Sequence, residues 1–198
     1  MKTLCKSFIG FFVLCLALPV FAGSIKEYSA DMVDVKSGRV AQKIAVTPDK
    51  IYAESIDAAG KREAVAIIRL DQKKILIFIE QTKSYMELPF NKDKFTAADL
   101  SLGMVQSKQE KVGTETVNGY QADKFRITAT VMNMNITAFQ WIAPEFDPMP
   151  IRTESQGVTQ EMRNIKPGPP DVSLFEPPQG YTRDTNMENM MKSMMGTK

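Results

Sequence analysis

The sequence predicts a mainly β (α+β) fold: an antiparallel sheet, one short internal helix and an amphipathic helix at the C-terminus. Three observations carry this. Short apolar runs recur about every ten residues between turn signals, the spacing of a sheet-rich domain. Asn118-Gly119 is the pair that best tolerates the two positive φ angles of a type I′ hairpin turn. After it, Phe125, Ile127, Ala129 and Val131 alternate with Lys124, Arg126, Thr128 and Thr130, the period of two of a strand with one face in a core and one in water.

The first element in chain order is a targeting segment. Lys2 and Lys6 precede an apolar stretch from Phe8 to Leu18, and Val20-Phe21-Ala22 offers the residues a signal peptidase reads. Residues 1–22 therefore read as an export signal cut between Ala22 and Gly23. The apolar stretch is shorter than the roughly 20 residues that span a bilayer, and no transmembrane segment is expected after processing. Cys5 and Cys15 leave with the signal, so the mature chain has no thiol and no disulfide. Lys2 and Lys6 leave too, which brings the 25 Lys and Arg of the full chain level with its 23 Asp and Glu. A chain of zero formal charge makes no general electrostatic case for nucleic acid or an anionic surface.

Strands follow. Tyr28 to Lys36 stops at Ser37-Gly38; Val40 to Val46 ends at Thr47-Pro48-Asp49; Ile51 to Ile56 and Ala64 to Leu70 flank a loop at Ala58-Ala59-Gly60-Lys61. Ile75 to Glu80 opens with ILIFI, apolar on both faces and so expected to be central and covered on both sides. Ser84 to Leu88 closes the set at Pro89. Between Asn91 and Met104, Phe95, Ala97, Ala98, Leu100 and Met104 suit a short helix. The Asn118-Gly119 hairpin comes next, then a turn near Asn133 and a strand from Ile136 to Ala143 with the only tryptophan, Trp141. Pro144, Pro148 and Pro150 make an irregular link, since proline is excluded from central strands. Ile151 to Ser155 and Val158 to Ile165, joined at Gln156-Gly157, read as a last polar hairpin near a sheet edge.

The C-terminus has its own pattern. Met187, Met190, Met191, Met194 and Met195 follow one continuous helical face, with Asn186 placed to cap the start and Gly196 the end. A helix this short is marginal alone in water and needs a surface. Three readings stand: an apolar face packed on the domain, a pliable lid over an apolar groove, because thioethers repack easily, or a Cu(I) site of soft ligands. No linker divides the chain, giving residues 23–184 as one domain and 185–198 as a methionine-rich helix or tail.

Catalytic signatures are missing. With no histidine, and no cysteine after processing, the usual general base, the thiol nucleophile and the common zinc ligands are unavailable. There is no G-x-S-x-G, P-loop or dinucleotide fingerprint. Asp31, Asp34, Glu110 and Glu115 are scattered, so no enzyme activity, metal or cofactor is expected.

The order SADMVDVKSGRVAQKIAVTPDKIYAES, IIRLDQKKILIFIEQTKSYMELP, GTETVNGYQADKFRI, IRTESQGVTQEMRNI and SLFEPPQGY, with the methionine tail, resembles an exported bacterial family of unknown function. That family is similar to the periplasmic outer-membrane lipoprotein carriers of the LolA type, and Phe175 to Gly180 is similar to their closing FxPPxG segment. The resemblance implies a periplasmic protein with a strongly curved antiparallel sheet, an incomplete barrel whose concave face is apolar and covered by helices. The partner it implies is a lipid, acyl chain or lipidated protein, with transient contact at the inner or outer membrane. In that setting Phe78, Phe125, Ile127, Ala129, Val131 and Trp141 are the expected groove lining, and Met187, Met190, Met191, Met194 and Met195 the lid. A non-catalytic envelope module whose groove is filled by its own helix is the other reading.

Overall fold

The computed structural model describes residues 26–90, 107–131 and 134–194. The export signal, the expected helix between Asn91 and Met104, the turn at Asn133, Met195 and Gly196 lie outside the described residues.

One curved, open sheet of twelve strands forms the molecule. In chain order the strands are β1 (Tyr28–Asp34), β2 (Val40–Val46), β3 (Lys50–Ile56), β4 (Arg62–Arg69), β5 (Lys74–Ile79), β6 (Ser84–Pro89), β7 (Ser107–Val117), β8 (Tyr120–Val131), β9 (Met134–Ile142), β10 (Arg152–Ser155), β11 (Val158–Pro167) and β12 (Thr182–Arg183), followed by helix α1 (Thr185–Met194). Across the sheet the order is β12-β6-β5-β4-β3-β2-β1-β11-β10-β9-β8-β7. Two antiparallel meanders are thus sewn together where β1 meets β11.

The local signals behave as their chemistry demands. Asn118 and Gly119 sit at φ of 50° and 88°, and Gln156 and Gly157 at 50° and 78°, both pairs in the left-handed region that two-residue hairpins need. Register shifts in β1–β11, β1–β2, β3–β4 and β7–β8 insert bulges, which bend a strand and increase its twist. Those bulges help curl the sheet. One expectation is corrected here. The β10–β11 hairpin is central, not marginal, because β11 pairs with β1 from the far end of the chain. Strand β12 joins β6 in parallel, the exception in an otherwise antiparallel sheet.

Alternation then sorts side chains between two faces. The inner face collects Tyr28, Val46, Ile51, Ile68, Ile75 and Leu88, joined by Phe146 and Ile151 from the link after β9. These close one end of the half-barrel. Tyr28 donates a hydrogen bond to the Phe146 carbonyl at 3.0 Å, and its ring meets that of Phe146 edge-on at 5.4 Å. Burial, with Asp147 nearby, pushes the Tyr28 phenol far up, so it stays a neutral donor. The outer face carries a second cluster, Ala45, Tyr52, Val65, Ile67, Leu76 and Phe78, under Phe175. Segment ILIFI is therefore covered on both faces, as expected, though it lies second from the β6 edge of the antiparallel array.

Candidate functional site

The inner face is filled at one end and hollow at the other. Between the two meanders lies a cavity of about 520 Å³. Its volume comes from small side chains at positions where the closed end has large ones. Ala53 pairs with Ala66, Ser55 with Ala64, and Ala138 with Ser155, all facing the hollow. Met32, Ile51, Ile68, Ile77, Met149 and Pro150 supply its apolar wall. Above them, Gln140, Thr153 and Gln160 are cross-strand neighbours on β9, β10 and β11, while Gln42 and Ser55 are neighbours on β2 and β3. Among the described residues, none that lines the cavity is charged.

The expected lining divides along strand register. Phe125 pairs with Gln140, Ile127 with Ala138 and Ala129 with Ile136, so these three share the inner face. They continue the wall beyond β9 without bordering the cavity; Phe125 instead borders a smaller recess with Ile142, Pro144 and Pro148. Val131 follows on β8, its side chain outside the described set. Phe78 and Trp141 face the other way, which corrects their expected role. Phe78 sits between Ile77 and Ile79, so alternation turns it outward, with its ring 5.3 Å from those of Tyr85 and Tyr181.

Trp141 follows the cavity-lining Gln140 and likewise turns outward, into a ladder of charges. Lys124 and Arg152 flank its ring at 4.7 and 5.3 Å, and its Nε1–H donates to Glu115 at 2.8 Å. Beyond it, Glu161 accepts from Arg152 at 2.9 Å and from Arg163 at 3.1 Å. Burial works against the charge on Glu161, but the two guanidiniums outweigh it and hold its carboxyl below the usual range. An indole between cations gains both cation–π attraction and apolar burial. Trp141 is thus a rivet of the second meander.

The C-terminal segment seals the β6 edge. Backbone bonds run from Thr182 to the Lys83 carbonyl at 2.9 Å and from Asp184 to the Tyr85 carbonyl at 2.8 Å. Where β12 ends, the Glu188 side chain takes over as acceptor for the Glu87 N–H at 3.2 Å. Glu188 is only 3% exposed and also accepts from Arg183 at 2.9 and 3.0 Å and from Lys192 at 2.5 Å. The helix starts from Asp184, whose Oδ1 accepts from the Met187 N–H at 2.9 Å; Asn186, the expected cap, lies inside the first turn. Met187 and Met191 pack against the inner-face core, whereas Met190 is 56% exposed. Met194 has its side chain outside the described set. The methionine stripe is therefore rotated relative to expectation: its docked face is Met187, Glu188, Met191 and Lys192. None of its described residues lines the cavity.

The Arg183 guanidinium draws Glu188 down to about 2, against the cost of burial and helped by Lys192 and the Glu87 N–H. A carboxyl depressed on folding stabilises the folded state fully above its unfolded value of about 4.3 and loses that contribution as pH falls through the folded value. The Glu87 amide proton should therefore titrate with a midpoint near 2 in NMR spectra, and the transition should vanish in Glu188→Gln. A midpoint near 4 would mean that the carboxylate does not hold the edge.

No helix among the described residues is long and apolar enough to cross a membrane. Nor do three or more His, Cys, Asp or Glu gather among them in a way that could hold a metal.

An open β half-barrel with an internal recess lined, among the described residues, by uncharged side chains is the class that this fold and site define. The chain belongs to the family described as Domain of unknown function (DUF4412), whose model matches residues 30–147. No curated protein matches it. Among solved structures it is similar to an uncharacterized conserved protein from Thermus thermophilus, with TM-score 0.48 and 11% identity over 80% of this chain and 90% of that one. It is also similar to the Mycobacterium tuberculosis lipoprotein LppX, with TM-score 0.36 and 13% identity over 74% and 89%. A LolA superfamily protein from Nitrosomonas europaea matches with TM-score 0.31 and 7% identity over 76% and 89%.

Proposed function

We propose that this chain is an exported, periplasmic binding or carrier protein that holds an acyl chain or lipid in the hollow end of its half-barrel. The single observation supporting this is the cavity of about 520 Å³, walled by Met32, Ile51, Ile68, Ile77 and paired alanines. Its volume falls within the range of roughly 300–1,000 Å³ for small-molecule sites. An apolar hollow of this size favours a ligand that brings apolar surface out of water, at about 25 cal/mol per Å² buried. The alternative of a groove filled by its own helix is less favoured, because α1 packs on β6 and, among the described residues, none of its methionines lines the cavity.

A neutral solvatochromic naphthylamine probe tests the proposal. It should brighten and shift to shorter wavelength on mixing with the full chain, and lipids extracted from bacterial envelopes should displace it. No signal from the probe, with the protein folded by circular dichroism, would refute the carrier reading.

A further inference from the structure

The cavity's polar atoms carry more information than its volume. They are ordered: in strand register, Gln140, Thr153 and Gln160 form one row across β9, β10 and β11, and Gln42 and Ser55 pair on β2 and β3 level with Met32, one inward-facing position nearer the closed end. The apolar wall, with Ile51, Ile68 and Met149, lies on the side of this row toward the closed end. The side chains of Gln42, Ser55, Thr153 and Gln160 make no hydrogen bond to one another or to any other described residue. Each carboxamide offers two donors and an acceptor, and each hydroxyl one donor and two lone pairs.

Charge is kept away from the same rim. Asp34, at the end of β1, turns its carboxylate onto the Ser37 N–H and hydroxyl at 2.6 and 2.7 Å. Arg39 is committed to the Ala58 carbonyl at 2.9 Å. A carboxylate, phosphate or ammonium entering the recess would lose its hydration and meet no opposite charge among these residues, which is costly in a partly enclosed site. A neutral ester, amide or alcohol would find donors and acceptors of matching strength.

Resting on the carrier reading, we infer that the glutamine-hydroxyl belt selects a ligand with an uncharged hydrogen-bonding head and one apolar chain, and discriminates against free fatty acids and cationic amphiphiles. At about 30 Å³ per small group, taken from the share of a water molecule in the liquid, the space admits on the order of 15–20 non-hydrogen atoms. That suits a single chain with a small head.

The test is calorimetric titration of the full chain with three probes sharing one decyl-length chain, each below its aggregation threshold: monodecanoylglycerol, decanoate and decyltrimethylammonium. Monodecanoylglycerol should bind at least tenfold more tightly than either ion. Gln42→Leu combined with Gln160→Leu should cut its affinity at least fivefold, with the variant folded by circular dichroism. Decanoate or the ammonium compound binding as tightly as the ester overturns the inference and leaves the carrier reading standing. A preference for the ester that survives the double substitution overturns the role given to these glutamines. Failure of all three ligands and of the naphthylamine probe defeats the carrier reading itself.

Discussion

Phe146→Ala lowers the stability of the fold by about 3–5 kcal/mol, the usual cost of deleting a fully buried aromatic ring. Phe146 is 0% exposed and stands at the junction of the two meanders. Tyr28 of β1 meets it edge-on at 5.4 Å and Tyr120 of β8 does the same at 4.9 Å. Its carbonyl also holds the Tyr28 hydroxyl at 3.0 Å, a bond the substitution keeps only if the backbone stays in place. Ile151, Leu88 and Phe90 are already packed into the same core, so among the described residues the gap is not cheaply filled. In a chain of this size the loss corresponds to a melting temperature lower by roughly 10 °C. Urea unfolding checks it, and a change below about 1 kcal/mol would show that the Phe146 ring does not hold the closed end together.

The second large effect is on binding. Ala53 and Ala66 face each other across β3 and β4 and border the hollow. Ala53→Leu combined with Ala66→Phe places side chains in that space, so binding of the naphthylamine probe should weaken at least about 100-fold. The melting temperature should hardly move. Overpacking costs about 1–3 kcal/mol when a core is already full, and here the added groups enter space that the wild-type chain leaves open. Undiminished probe binding in this double variant would place the ligand elsewhere. Unfolding of the variant would show instead that the hollow cannot be occupied, which also counts against a carrier.

Much of this architecture is legible in the residues. Strands β1 to β6 lie within one or two residues of the apolar runs that announce them, since each run is bounded by its own turn chemistry. Asn118-Gly119 and Gln156-Gly157 mark hairpins because few other residues accept positive φ there. The spacing of Phe125, Ile127 and Ala129 is enough to put the three on one face.

Other features were not legible, for definite reasons. Phe78 and Trp141 are large and apolar, and composition alone assigns such residues to an interior; the register instead carries each to the outer face, under Tyr181 in one case and between two cations in the other. Glu188 looks like a solvent-facing interruption of the methionine stripe. Its partners Arg183, Lys192 and the Glu87 N–H meet it only when the helix lies on β6, and the inward turn of the carboxylate rotates Met190 to solvent. The cavity left one trace in the sequence, the alternate small residues Ala53, Ser55, Ala64 and Ala66 where neighbouring strands carry isoleucine. That trace acquires meaning only with pairing, because four small side chains make a hollow if they face one another and scattered gaps if they do not.

By itself, the sequence determined the strands, the hairpins, the partition of each strand into two faces and the presence of an amphipathic helix, all of which depend on residues a few positions apart. Tertiary structure decided which face became the interior, where the last hairpin sits and which side chains border the recess. Several strands carry apolar groups on both faces, so local patterning leaves the choice open. The closing of β11 onto β1, between residues at opposite ends of the fold, settles it.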